Sequence, residues 1–253
     1  MRLLLSVVVL SAFTFGARAN VGNYTFGASN TTYTTITGTA LVTGTWDDTN
    51  SSLLALPFTF TYNNVPYTQV GINSNGFITL GALTTTVYCG LQTSPANSIA
   101  GYGTDLVNAS ASSSVRYGTL GSAPNRQFVV QWTDCDHYGN SQQNHITFQV
   151  ILNETSNTVQ VVFGPSTVAT TLGPNACSDT NTESGNVGLL GSSTADFNLR
   201  KVTNGSSTWI QSTVGTLISD VCNLSPTNIP ASGLTWTWTP PPSVPMVFAS
   251  CTT

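Results

Sequence analysis

The stretch Tyr67-Thr-Gln-Val-Gly-Ile-Asn-Ser-Asn-Gly-Phe-Ile-Thr-Leu80 holds two alternating patterns, Val70/Ile72 before and Ile78/Leu80 after, separated by Asn75-Gly76. Asn-Gly accepts the positive φ angles that a tight type I′ turn requires, so the segment is predicted to be a β-hairpin. The same period of two recurs outward in both directions, from about Tyr24 to Thr239, with no period of 3.6 over a helical length. Leu56/Phe58/Phe60/Tyr62, Phe128/Val130/Trp132, Ile146/Phe148/Val150/Leu152, Val159/Val161/Phe163 and Leu234/Trp236/Trp238 each form an apolar strand face. Each strand is expected to bury that face and leave the other wet.

Many short strands punctuated by Gly, Pro, Asn and Ser predict an all-β fold. Its expected form is an antiparallel two-sheet β-sandwich, jelly-roll-like, with long surface loops. Those loops are expected at 82–100, 134–144 and 166–185, where strand patterning lapses. A four-residue turn, Glu154-Thr-Ser-Asn157, is predicted to join two arms of a hairpin.

Residues 1–19 begin Met1-Arg2, run apolar from Leu3 to Leu10, and end in small residues around Ala17 and Ala19, the pattern of a secretory signal peptide. The run is shorter than the roughly 20 residues of a membrane span, so no transmembrane segment is expected. The sandwich domain is assigned to 20–239 and a Pro-rich linker, or the start of a following domain, to 240–253. Of six Lys+Arg, Arg2 and Arg18 belong to the leader, which leaves four basic against ten acidic side chains. That balance repels a phosphate backbone, so nucleic acid is not an expected partner.

In an oxidising compartment Cys89, Cys135, Cys177 and Cys222 are candidates for two disulfides, in any of three connectivities. Cys251 is then the odd one, and either pairs within the chain and leaves another thiol free or has its partner in something that follows Thr253. The acidic clusters are Asp47-Asp48 and Asp134-Cys-Asp136-His137. Oxygen-rich loops of this kind suit Ca²⁺, the one cofactor the chain suggests, although neither has the spacing of an EF-hand. His137 and His145 stand near the second cluster and are expected on exposed loop or strand positions. No strand carries the acidic pair of a glycosidase, Glu154 and Glu183 are expected in turns, and no Gly-x-Ser-x-Gly elbow is present. Large aromatics on strand faces are expected in the core, whereas Tyr102, Tyr117 and Tyr138 lie nearer loops and are candidate ligand contacts. Seven Asn-x-Ser/Thr sequons, at Asn23, Asn30, Asn50, Asn108, Asn153, Asn204 and Asn223, would mark exposed sites in a eukaryotic secretory route.

The strand Leu56-Pro-Phe-Thr-Phe60, the 67–80 hairpin, Ile99-Ala-Gly-Tyr-Gly-Thr-Asp-Leu106, Arg126-Gln-Phe-Val-Val-Gln-Trp132 and the segment from Phe148 to Gly164 together resemble a family. They look like the N-terminal module of large secreted surface proteins of Bacteroidetes type, and more distantly like the nidogen-like extracellular domain. The resemblance implies export, often by type IX secretion, a secreted or cell-surface location, and no catalytic residues. Taken with the residues, it predicts a non-enzymatic module for adhesion, surface assembly or protein–protein interaction. Its expected partners are an extracellular protein or glycan and the following domains of a longer chain. The alternative is a carbohydrate-binding lectin-like module or a jelly-roll glycoside hydrolase.

Overall fold

The computed structural model describes residues 20–83, 89–139, 144–169 and 183–242. The proposed leader, Cys177, Cys251 and most of the proposed linker lie outside these residues. Among the described residues the strands are, in chain order, β1 (Thr25–Asn30), β2 (Thr39–Thr43), β3 (Leu54–Tyr62), β4 (Val65–Asn73), β5 (Phe77–Leu80), β6 (Ser98–Gly103), β7 (Leu106–Asn108) and β8 (Ser114–Leu120). They continue with β9 (Gln127–His137), β10 (Ile146–Asn153), β11 (Val159–Phe163), β12 (Glu183–Leu190), β13 (Phe197–Lys201), β14 (Thr213–Val214), β15 (Cys222–Leu224) and β16 (Leu234–Thr239).

Two antiparallel sheets pack face to face. The first runs β1-β16-β11-β10-β9-β8-β2, with β7 on the end of β9; the second runs β14-β13-β12-β6-β5-β4-β3, with β15 on β12. The antiparallel sandwich read from the sequence is the observed architecture.

The 67–80 hairpin is present, with Ile72 opposite Ile78 and Asn73 opposite Phe77. Its loop differs from the expectation. Three residues, Ser74-Asn75-Gly76, connect the strands, and of these Gly76 alone takes a positive φ, +84°. A three-residue loop needs one left-handed residue at its end, which glycine supplies without steric cost. The type I′ signature sits one hairpin earlier, at Asn63-Asn64. Both residues have positive φ (55° and 59°) between the paired Tyr62 and Val65. The four-residue 154–157 turn is as expected, closed by a hydrogen bond from Asn153 N to Thr158 O.

The faces read as apolar in the sequence meet between the sheets. Phe60, Tyr62, Ile72, Ile78, Val130, Trp132, Phe148, Val150, Trp236 and Trp238 are all fully buried in one core. Trp132 stacks on Phe148 (5.0 Å, 12°) and Trp209 on Trp236 (5.5 Å, 25°). Burying each large apolar side chain contributes about 1.5–3 kcal/mol, so this layer dominates the stability.

The expectation that outer faces stay wet is corrected. Strands β10 and β12 are buried on both faces, because chain segments cross over them. Ile36 and Tyr33 cover Val129, Ile151 and Val162 on the first sheet. Polar groups pin this strap: Ile36 N donates to Gln131 Oε1, and Gln149 Nε2 donates to Thr34 O. On the second sheet Leu91 packs with Phe77, Ala100, Leu190 and Leu199, and its N–H donates to Asn186 Oδ1. Buried Gln and Asn side chains here satisfy backbone groups that a loop would otherwise leave unpaired.

All three expected loops are shorter than the sequence suggested, the first because β6 begins at Ser98. Asp134, Cys135, Asp136 and His137 belong to β9, which turns at Asp134 (φ +60°) and resumes pairing with β7. Glu183 starts β12 and is fully buried rather than in a turn.

Candidate functional site

The hairpin tip between β4 and β5 is the hub of one end of the sandwich. Trp132 Nε1 donates to the carbonyls of Asn73 and Ser74, and Gly101 N donates to Gly76 O. Thr49 N donates to Ser74 Oγ, and Ser74 N to Thr49 O, which holds the β2–β3 connection against the tip. Asn75 joins three segments: its Nδ2 donates to Asp48 Oδ1, its Oδ1 accepts from Leu106 N, and its carbonyl accepts from Thr104 N. A side chain with both a donor and an acceptor can bridge a carboxylate and a backbone amide at once, which is why an amide suits this position.

The convergence brings three carboxylates together. One oxygen from each of Asp47, Asp48 and Asp105 lies within 4.8 Å of the others, with Asp47 exposed, Asp48 half-buried and Asp105 only 7% exposed. Among the described residues Asp105 Oδ1 has no hydrogen-bond partner. Burial, together with the charges of Asp48 and Asp47, pushes the Asp105 carboxyl up to about 6, and His137 acts weakly in the opposite direction.

Behind the carboxylates lies a buried polar layer. His137 Nδ1 meets Glu183 Oε2, with both side chains essentially inaccessible. Tyr102 Oη lies 3.5 Å from His137 Nε2, and the two rings pack edge to face. Burial and the neighbouring Glu183 raise the Tyr102 hydroxyl well above its ordinary value. A pocket of about 150 Å³ opens beside this layer, lined in part by Gln92, Thr104, Ser184 and Asn186. It is below the roughly 300 Å³ at which pockets ordinarily begin to enclose a small organic ligand.

The sequence-based candidates separate into different places. Asp47 and Asp48 join Asp105, which the sequence reading missed: a lone Asp between Thr104 and Leu106 carries no local signal. Asp134 and Asp136 do not join them, and among the described residues neither belongs to a group of three metal-ligating side chains. Asp134 accepts from Ser110 Oγ and from His145 Nδ1 (2.6 Å). Burial pulls its carboxyl up, but these hydrogen bonds overcome that and hold it below the ordinary value. Asp136 is fully buried and its Oδ1 accepts from His137 N. His145 is half exposed, whereas His137 is buried, contrary to expectation.

Tyr102 is corrected from a surface contact to a core residue (1% exposed). Tyr117 is half-buried against Phe128, and Tyr138 is exposed at 52%. Cys135 and Cys222 are free, buried thiols, which overturns the pairing of four cysteines into two disulfides. Cys89 is disulfide-bonded, so its partner lies outside the described residues.

A family model described as NIDO related matches residues 23–240, nearly the whole sandwich. The chain belongs to the NIDO-related family. That membership supports the nidogen-like half of the sequence resemblance and an extracellular protein-interaction setting for this NIDO-related domain. No curated protein and no solved structure matches the chain. Among the described residues no helix is long and apolar enough to cross a membrane.

Proposed function

We propose that this NIDO-related domain is a non-enzymatic, secreted interaction module that binds an extracellular protein in adhesion or surface assembly. The observation that carries the reading is the family match across residues 23–240. The placement of the aromatics supports it over a sugar-binding role: Trp46, Trp132, Trp209, Trp236 and Trp238 are all at least 94% buried. They fill the core, where they offer no stacking platform to a glycan. Ile210, Val214 and Leu217, each more than half exposed, flank or occupy the short edge strand β14 and suit a protein contact better than a sugar. The wider setting in this reading is the exported, type IX-secreted surface protein that the sequence resembles.

The test is equilibrium binding of the purified domain to a panel of extracellular-matrix and cell-surface proteins and to a glycan array, with reducing-sugar release assayed in parallel. Saturable binding to a protein, with neither glycan binding nor sugar release, is the expected result. Glycan binding without protein binding, or sugar release, would overturn it.

A further inference from the structure

We propose that Asp47, Asp48 and Asp105 bind a divalent cation, Ca²⁺ in preference to Mg²⁺, and that the ion ties the β2–β3 connection to the β6–β7 connection. The donor set is made only of carboxylate oxygen, the chemistry of a hard cation rather than of zinc or copper. Ca²⁺ takes oxygens at about 2.3–2.6 Å, so two ligands on opposite sides of one ion stand up to roughly 5 Å apart. The three carboxylate oxygens, all within 4.8 Å of one another, fit that span without rearrangement.

The second observation is independent of the clustering. Asp105 is 93% buried by its surroundings, and its Oδ1 finds no donor among the described residues. A buried acceptor without a partner has lost its hydration with nothing in exchange, and the loss is greater when it is charged. The neighbours supply no relief. Asp48 and Asp47 bring further negative charge, and His137, which acts in the opposite direction, is engaged by Glu183. Meanwhile Asn75 Nδ2 fixes Asp48 through Oδ1, and Asp48 N donates to Asp47 Oδ1. The carboxylates are therefore positioned by the scaffold before any ligand arrives. A divalent cation both satisfies the Asp105 oxygen and cancels the repulsion among the three groups. Solvent completes the coordination through the exposed Asp47 side.

Isothermal titration of the purified, chelator-treated protein with CaCl₂ is the direct experiment, repeated with MgCl₂ and with Asp105→Asn, Asp48→Asn and Asp134→Asn. The expected result is saturable Ca²⁺ binding, with a dissociation constant of about 10⁻³ M or tighter, as extracellular modules show. Mg²⁺ should bind more weakly. D105N and D48N should each weaken Ca²⁺ binding about tenfold or more, while D134N leaves it unchanged because Asp134 lies in a separate cluster. The rise in melting temperature of the unmutated protein between EDTA and Ca²⁺ gives a readout that does not depend on a variant folding. No saturable Ca²⁺ binding by the unmutated protein, or binding that D105N and D48N both leave intact, would overturn the proposal.

Discussion

Glu183, the first residue of β12, meets His137, the last residue of β9, and so links the two sheets through a buried acid–base contact. Tyr102 stands beside it on β6, and Gly185 lies so close that an added Cβ would come within about 3.0 Å of the Tyr102 ring. The pair is thus enclosed by tightly packed neighbours. Removing one partner leaves the polar atoms of the other buried without a counterpart, at a cost of about 1–3 kcal/mol. Glu183→Ala is expected to destabilise the domain by that amount in urea unfolding, and His137→Ala similarly. A loss below about 1 kcal/mol for both would show that the contact does not bear on stability.

Gly76 is held at φ +84° with its Cα facing the Tyr102 carbonyl; a Cβ there would lie 2.0 Å from that oxygen. Gly205 has nearly the same φ, +79°, but open space around it. The two positions separate backbone strain from steric clash. Gly205→Ala is expected to cost about 1–2 kcal/mol, the left-handed penalty alone. Gly76→Ala should cost clearly more, about 3 kcal/mol or above, because the hub hairpin must also move. Equal losses in denaturant unfolding would mean that the hairpin tip yields freely.

Acid sensitivity should come in part from Glu154. Its side chain accepts from Arg126 Nε and Nη2 (2.8 and 2.6 Å) and from Arg126 N, and the first of these causes, the side-chain hydrogen bonds, holds its carboxyl at about 2 against burial, from an ordinary 4.5. A folded-state value below the unfolded one stabilises the fold above the unfolded pKa. The contribution is lost as pH falls from about 4.5 toward 2. Melting curves of the unmutated protein and Glu154→Gln should therefore differ most near neutrality and converge on acidification. A gap that stays constant or widens toward pH 2 would refute this.

Burial pushes the thiols of Cys135 and Cys222 well above their ordinary values, and a thiol rather than a thiolate is a poor nucleophile. In the folded protein both should resist iodoacetamide. After unfolding without a reductant, both should be alkylated, as read by peptide mass spectrometry. Recovery of either residue as a disulfide would contradict the free-thiol assignment.

The strand faces were legible because burial with a period of two is a local property, written in alternating side chains such as Phe58/Phe60/Tyr62 and Leu234/Trp236/Trp238. The hairpins were legible as turns but not in detail. Asn75-Gly76 looked like the type I′ pair, yet the structure places that turn at Asn63-Asn64, because the register of the flanking strands decides how many residues the loop contains. The covered outer faces were not legible. Gln131 and Gln149 read as wet positions until the strap that they hydrogen-bond was in place.

The sequence by itself determined an all-β chain, its strand faces, its aromatic core and its acidic balance, since these depend on side-chain type and on neighbours one or two residues away. Only the tertiary structure decided that Asp105 would join Asp47 and Asp48, that His137 would find Glu183, and that Tyr102 would be interior. Those relationships join different strands and connections. The sheet topology creates them by bringing the ends of β4, β6 and β9 to the same end of the sandwich as the start of β12, and no local pattern encodes which distant residues will meet there.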